Sequence, residues 1–368
     1  MFNYLKNCLK NFDWLIFLPV FLLSVFGLVE IYSVALGQEM LDLLNFKKQI
    51  LFIIVGLGCF LFFSLCSFHS LKSVSRYLYI FAIIILIAVL IFGETIRNTK
   101  GWFTIFGFNL QPVEFVKIIL IIFLSDYFAR LSTRVKTAKH LLVSGLYTLI
   151  LVGLILLQPD FGSSLMLLAI WFVMILLSGF KRKYFLVIFA VGGIIFALAW
   201  FLFFKPYQKE RILTFFNPGE NSLEQGYNVS QAMIAVGSGG MMGKGVGFGS
   251  QSQLKFLPEA HTDFIFAVIS EELGFFGVFL VILFFAVFFF RSLLLLKRVR
   301  NDFEAYVIIG ASGLLFVEMF INIGMNLGIM PVVGIALPFV SYGGSSIMSS
   351  FILAGIIENI AISTKKNY

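Results

Sequence analysis

Leu257-Pro258-Glu259-Ala260-His261-Thr262-Asp263 closes a polar, glycine-rich stretch, residues 205–262, and opens directly onto an apolar run that continues through residue 290. An ionisable group is costly at a membrane boundary, so the acidic residue at this junction is a functional candidate. Working outward from it, the chain is a succession of apolar runs. Crossing a bilayer core takes about 20 such residues, and candidate spans fall at 14–34, 49–67, 77–93, 112–129, 141–158, 162–180, 184–204, 264–290, 304–325 and 341–363. The pattern predicts an all-α polytopic membrane protein of about ten transmembrane helices, residues 1–368 forming one integral domain. An even count puts both termini on one side of the membrane.

Composition excludes a soluble globule. The chain is 60% hydrophobic and 12% charged, against roughly 25% charged in soluble domains, and its mean hydropathy is +0.99. The net charge of +8 raises nucleic acid as a partner, and the placement of the basic residues answers it. With cytoplasmic termini, seventeen of the 27 lysines and arginines lie inside, nine outside and Lys117 within a span. That bias follows the positive-inside rule. These side chains set orientation and meet anionic lipid, so no nucleic acid is called for. The long loop 205–263, between helices 7 and 8, then faces outward with loops 94–111, 158–161 and 326–340. The first run is too long for a signal-peptide core and lacks a cleavage site, so it reads as a retained helix. Cys8, Cys59 and Cys66 show neither metal nor redox spacing. The absence of an internal repeat weighs against an inverted-repeat transporter.

The polar residues gather at the outward level. Gln111-Pro112-Val113-Glu114-Phe115-Val116-Lys117 starts a helix, with Pro112 suited to its first turn and Glu114 and Lys117 as i, i+3 neighbours. Either they are a buried ion pair that fixes packing, or Lys117 presents a cation to an anionic headgroup. Asp160, in Gln158-Pro159-Asp160-Phe161-Gly162, either caps the following helix or serves the cavity. Gly237-Ser238-Gly239-Gly240-Met241-Met242-Gly243-Lys244-Gly245 permits close backbone approach and successive N–H groups that can cradle an anion. It lacks the order of a nucleotide phosphate loop, and a lipid diphosphate suits it better. Glu271-Glu272 lie some 10 Å or more along the helix from Asp263 and are expected to face a polar cavity or a partner. Asp263, at the cavity mouth, is the candidate general base. Ser341-Tyr342-Gly343-Gly344-Ser345-Ser346 follows a segment, 331–340, that can lie re-entrant where protein covers it; its small residues also suit close helix packing.

As an ordered set these strings resemble the SEDS family (shape, elongation, division and sporulation), polytopic enzymes that polymerise peptidoglycan glycan strands. The matching pieces are Gln111-Pro112-x-Glu114-x-x-Lys117, Gln158-Pro159-Asp160-x-Gly162, Gly237-Ser238-Gly239-Gly240 with Gly243-Lys244-Gly245, and Leu257-Pro258-Glu259-x-x-Thr262-Asp263-Phe264 with Glu271-Glu272-Leu273-Gly274. They close with Asn322-Ile323-Gly324-Met325 and Leu337-Pro338-Phe339-x-Ser341-Tyr342-Gly343-Gly344-Ser345-Ser346. Arg211-Ile212-Leu213-Thr214-Phe215-Phe216-Asn217-Pro218 and Gln251-Ser252-Gln253-Leu254 are closer to the elongation member, whereas Glu259-Ala260-His261 is closer to the division member; elongation is favoured. Val113 and the stretch before Trp102 depart from the family pattern.

The resemblance implies a bacterial cytoplasmic-membrane enzyme, its site facing outward, that transfers a polyprenyl-diphosphate-linked glycan chain to lipid II. Asp263 would be the base. Trp102, Glu114, Lys117, Asp160, Arg211, Lys244, Glu259 and Ser345 would form the substrate-binding side. Lys117, Arg211, Lys244 or a divalent cation such as Mg2+ would meet the departing diphosphate, with no metal ligands identified. The implied partners are a class B penicillin-binding protein and the cell-wall elongation complex. Rival readings are a lipid II flippase, a division-specific polymerase and a non-catalytic scaffold.

Overall fold

The computed structural model describes residues 11–37, 43–65, 69–96, 99–105, 107–131, 137–202, 209 and 225–366. Among them ten long helices follow one another: α1 (Trp14–Leu36), α2 (Leu44–Leu65), α3 (His69–Phe92), α4 (Pro112–Ala129), α5 (Ala138–Leu156), α6 (Phe161–Leu177), α7 (Arg182–Leu202), then α10 (Ile265–Leu296), α11 (Asp302–Asn326) and α12 (Gly344–Lys366). Two shorter helices, α8 (Gln225–Ser238) and α9 (Ser250–Gln253), lie between α7 and α10. Seven of the long helices are apolar and long enough to cross a membrane. The 17-residue α6 is shorter, and α4 carries Glu114, Lys117 and Asp126.

Local chemistry sets the helix ends. Pro112 occupies the first turn of α4, where its missing N–H costs nothing. Asn301 caps α11 by accepting from the Phe303 amide at 3.1 Å, and Asp302 and Glu304 sit favourably in that first turn.

The C-terminal helix is the bundle's centre: 89% of its most apolar window is buried, against 22% for α2. Small residues bring the two together. A methyl group on Gly344 would press into the Phe52 ring at 2.8 Å, and one on Gly355 would meet the Phe60 carbonyl at 2.6 Å. Phe351 of α12 packs on Phe339, which in turn meets Phe285 and Phe288 of α10. At the end opposite Asp263, the Asp13 carboxylate joins three helices. It pairs with Arg291 of α10 at 2.6 Å and Lys365 of α12 at 3.4 Å, while the Asp13 amide donates to Glu358 at 2.7 Å.

Two features depart from the expected loops. Within 94–110 three strands, β1 (Glu94–Ile96), β2 (Thr99–Ile105) and β3 (Phe108–Leu110), pair as an antiparallel meander, with Trp102 opposite Glu94 and Phe103 opposite Leu110. The 205–263 stretch holds α8 and α9. Segment 327–343 is neither helix nor strand; Ile335, Leu337, Phe339 and Val340 within it are buried, as irregular backbone at membrane depth requires.

Helix α10 breaks at Gly274 (φ 64°, ψ −160°), and the glycine-rich segment repairs the break. Phe275 and Phe276 donate to the carbonyls of Gly240 and Met241 at 2.9 and 3.2 Å, and Lys244 and Gly245 donate to those of Glu271 and Glu272 at 3.0 and 2.9 Å. Side chains at Gly239 and Gly243 would collide with the carbonyls of Ser270 and Glu272. Two of the amides expected to form an anion cradle, those of Lys244 and Gly245, are therefore engaged with α10, and Gly239 and Gly243 serve backbone approach.

Candidate active site

Asp263 is half-buried immediately before α10, and the C-terminal quarter of the chain fixes its backbone. Three successive carbonyls each accept a hydrogen bond from that region. The His261 carbonyl takes the Tyr342 amide at 2.8 Å, and the Thr262 carbonyl takes the Ser341 hydroxyl at 2.6 Å. The Asp263 carbonyl takes the side-chain amides of both Asn322 and Asn326 at 3.0 Å. Asn326 also accepts from the Ala267 amide at 3.1 Å. Helix α10 starts with Phe264 at its N-cap and no capping bond from that side chain, so a neighbouring helix satisfies part of its first turn.

The approach to Asp263 is strained. Glu259 has φ +54°, which is uncommon outside glycine and clusters at functional sites. The Thr262 hydroxyl holds it, donating to the Glu259 carbonyl at 3.2 Å and carboxylate at 3.1 Å. The irregular segment closes over the carboxylate: a methyl group on Gly334 (φ +71°) would lie 3.7 Å from Asp263 Oδ2.

One face of α11 ties this region to a buried charge cluster. Glu318, Asn322 and Asn326 recur every four residues, about 6 Å apart along the axis. The asparagines hold Asp263; one turn below, Glu318 Oε1 lies 2.5 Å from Lys117 Nζ. Lys117 also pairs with Glu114 at 2.8 Å, and the Ser349 hydroxyl donates to Glu114 at 3.0 Å. Lys117 is only 4% exposed, so its ammonium is already shared between two carboxylates.

At the start of α4, Gln111 bridges two more candidates. Its amide donates to the Ser345 hydroxyl at 2.8 Å, and its side chain donates to Asp160 at 3.2 Å. Asp160 caps α6, accepting from the Ser163 amide at 2.9 Å and hydroxyl at 2.7 Å. Gly162, two residues on, abuts the Val333 carbonyl: a methyl group there would come within 2.6 Å of it. Asp160, Ser345 and Asp263 thus border the same irregular segment, with Glu114 and Lys117 beneath it.

Lys244 stands with different partners, pairing with Glu271 at 2.7 Å and Ser250 at 2.9 Å. The Glu271 carboxylate also accepts the Gln251 and Ser252 amides that open α9. Glu271, expected with Glu272 to face a cavity or a partner, is instead held by donors of its own chain. Trp102 lies on β2, its indole N–H buried without an acceptor among the described residues. Arg211 lies outside the described residues. Sequence reasoning passed over Glu318 and Gln49. Gln49 is fully buried and brackets the Ser341–Gly343 turn, donating to the Ser341 carbonyl at 3.2 Å and accepting from the Gly343 amide at 3.4 Å. A carboxylate inside an apolar span was the available signal for Glu318.

A family model for the cell cycle proteins FtsW, RodA and SpoVE matches residues 13–366. The chain belongs to the SEDS family. Its relatives include the probable peptidoglycan glycosyltransferase FtsW of Bacillus subtilis, 32% identical over 383 residues and covering 98% of this chain and 93% of that one. The stage V sporulation protein E of the same organism is 32% identical over 358 residues, covering 95% and 96%. Among solved structures, one describing how a peptidoglycan synthase complex coordinates polymerization and crosslinking superimposes with a TM-score of 0.81 at 28% identity, covering 96% and 98%. The Thermus thermophilus rod shape determining protein RodA superimposes with a TM-score of 0.71 at 26% identity, covering 97% and 98%. This SEDS protein is accordingly a multi-pass membrane protein.

Proposed function

We propose that Asp263 is the general base of a glycan-strand polymerase that transfers a polyprenyl-diphosphate-linked glycan chain to lipid II. The chain is a peptidoglycan glycosyltransferase. The observation that carries the assignment to Asp263 is the clamp on the carbonyls of His261, Thr262 and Asp263. A base works only if held within reach of the proton it removes, and this backbone is held by three separate contacts. Asp263 accepts the proton of the acceptor sugar hydroxyl as the oxygen bonds to the donor's anomeric carbon. The bond from that carbon to the polyprenyl diphosphate breaks, and the diphosphate leaves with the electron pair. Charge builds on the leaving group, where a cation is worth most.

Lys117 is already neutralised by Glu114 and Glu318, which favours a role in fixing the site's floor. Arg211 and Lys244 are the remaining candidates for the diphosphate. Among the described residues no three His, Cys, Asp or Glu side chains converge as a metal site. The charge bias supports an Asp263 end that faces outward from the bacterial cytoplasmic membrane. Elongation is the favoured process because of the 211–218 and 251–254 strings, with a class B penicillin-binding protein of the elongation complex supplying transpeptidation.

Purified protein given labelled lipid II tests the function. Glycan polymer is the expected product. Translocation of lipid II across liposomes without polymer would establish the flippase instead.

A further inference from the structure

A second cluster, apart from Asp263, joins α1 to the chain between α8 and α10. Ser33 donates its hydroxyl to Glu272 Oε2 at 2.5 Å. Glu30 lies one turn earlier on α1, and residues three apart share a helix face. It is fully buried, and neither of its carboxyl oxygens meets a hydrogen-bond donor among the described residues. The carboxyl it faces is that of Glu272.

Glu272 is also fully buried, but it is richly solvated by the protein. Its Oε2 accepts from Ser33 and from the Gly247 amide at 3.0 Å, and its Oε1 accepts from the Ser252 hydroxyl at 3.0 Å and the Gln253 side-chain amide at 3.3 Å. Four donors converge on this carboxyl. Glu30 has none. The adjacent cation does not help, because Lys244 pairs with Glu271.

Two carboxylates facing each other away from water cannot both stay ionised. An acceptor set against an acceptor needs a positive charge or a hydrogen between them. A hard divalent cation such as Mg2+ or Ca2+ wants six or more oxygen ligands, and the Glu272 oxygens are already taken by N–H and O–H donors. A proton needs only one lone pair on each side, and the Gly247 amide and Gln253 side chain, which Glu272 shares with Ser33, leave Glu272 room for it.

We propose that Glu30 and Glu272 form a site for one proton, carried on Glu30 and donated to Glu272, and that this proton latches residues 247–253 onto the first helix. The latch consists of Gly247, Ser252 and Gln253 on Glu272, with Gln253 also bonded to the Ser33 carbonyl at 2.9 Å. Its remaining steric partner is Gly37, where a methyl group would meet Gln253 Oε1 at 2.5 Å. Removing the proton leaves two buried negative charges that only separation can relieve. The docked state is therefore the protonated one, present at lower pH and lost as pH rises. Residues 247–253 lead directly into 257–263, so the latch bears on the backbone that presents Asp263. The proton site itself does not depend on the catalytic role of Asp263.

Infrared difference spectroscopy of the full chain in lipid nanodiscs reads the proton directly. A carboxylic-acid carbonyl band is expected at neutral pH. It should shift in D2O, vanish on alkaline titration of the unmodified protein, and be missing from Glu30→Gln, whose amide retains a donor but has no acid to titrate. A spin label on a cysteine replacing Phe248, with the native cysteines changed to serine, should gain mobility over the same titration, and should not do so in Glu30→Gln. An unchanged band in Glu30→Gln would overturn the assignment. So would a label that responds to sodium or magnesium at fixed pH and not to pH.

Discussion

Asn326 donates its side-chain amide to the backbone carbonyl of Asp263 at 3.0 Å and accepts from the Ala267 amide at 3.1 Å. One side chain on α11 thereby fixes the residue before α10 and part of the first turn after it. Asparagine suits this because it carries a donor and an acceptor on one planar group. The candidate base is thus positioned by a helix distant in sequence, together with Ser341 and Tyr342.

Removing that bracket is expected to harm catalysis more than folding. Asn326→Ala leaves the Asp263 carbonyl to Asn322 and the Ala267 amide to the Phe264 carbonyl, so each lost hydrogen bond costs about 0.5–1.5 kcal/mol. A displacement near 1 Å at a reacting group costs about 10²-fold in rate. Lipid II polymerisation should fall in kcat by about that factor with KM little changed. A loss confined to thermal stability, with normal kcat in the folded fraction, would make Asn326 purely structural.

The Lys117 cluster offers a separation of charge from packing. Lys117→Met alone leaves Glu114 and Glu318 facing each other and should destabilise the protein by about 3–5 kcal/mol. Combining it with Glu114→Gln and Glu318→Gln removes all three charges and should restore both the melting temperature and polymerisation. A triple variant that folds normally yet makes no polymer would show that the ammonium serves the diphosphate after all.

Glycines that look alike in sequence should respond differently. Gly240 (φ +57°) has open space where a side chain would go, whereas Gly243 (φ +77°) faces the Glu272 carbonyl. Gly240→Ala pays only the left-handed backbone cost, about 1–2 kcal/mol. Gly243→Ala adds a backbone collision and should displace the segment from α10. Melting curves in detergent should show clearly the larger loss for Gly243→Ala, and equal losses would mean that the segment does not pack as described.

Orientation is tested by labelling. Met242 is 80% exposed beside the broken part of α10, and Arg298 is exposed at the opposite end of that helix. In a chain freed of native cysteines, Met242→Cys should react with a membrane-impermeant thiol reagent in cells with a permeabilised outer barrier. Arg298→Cys should not. The reverse pattern would put the Asp263 end in the cytoplasm.

The helices were legible because length and hydropathy alone decide what crosses a bilayer, and the ten expected spans correspond to the ten long helices. The meander at 94–110 was not, since strands of three to seven residues give too short a pattern to stand out. Asp160 and the Glu114–Lys117 pair were readable from local spacing, whereas their bonds to Gln111, Ser349 and Glu318 depend on contacts between distant helices. The glycine run announced close approach but not its target, because nothing in the sequence marks Gly274 as the point where α10 breaks. Glu30 and Glu318 went unremarked inside apolar runs, although their cost in lipid is what makes them informative.

The catalytic assignment rests most directly on the rate of lipid II polymerisation by purified Asp263→Asn. Asparagine keeps the shape and a hydrogen-bonding carbonyl but cannot accept the proton. The variant should fold, bind lipid II and polymerise about 10²–10⁴-fold more slowly, the contribution typical of a positioned base. Polymerisation at the unmodified rate would contradict Asp263 as the base and leave Glu259 as the carboxylate to examine.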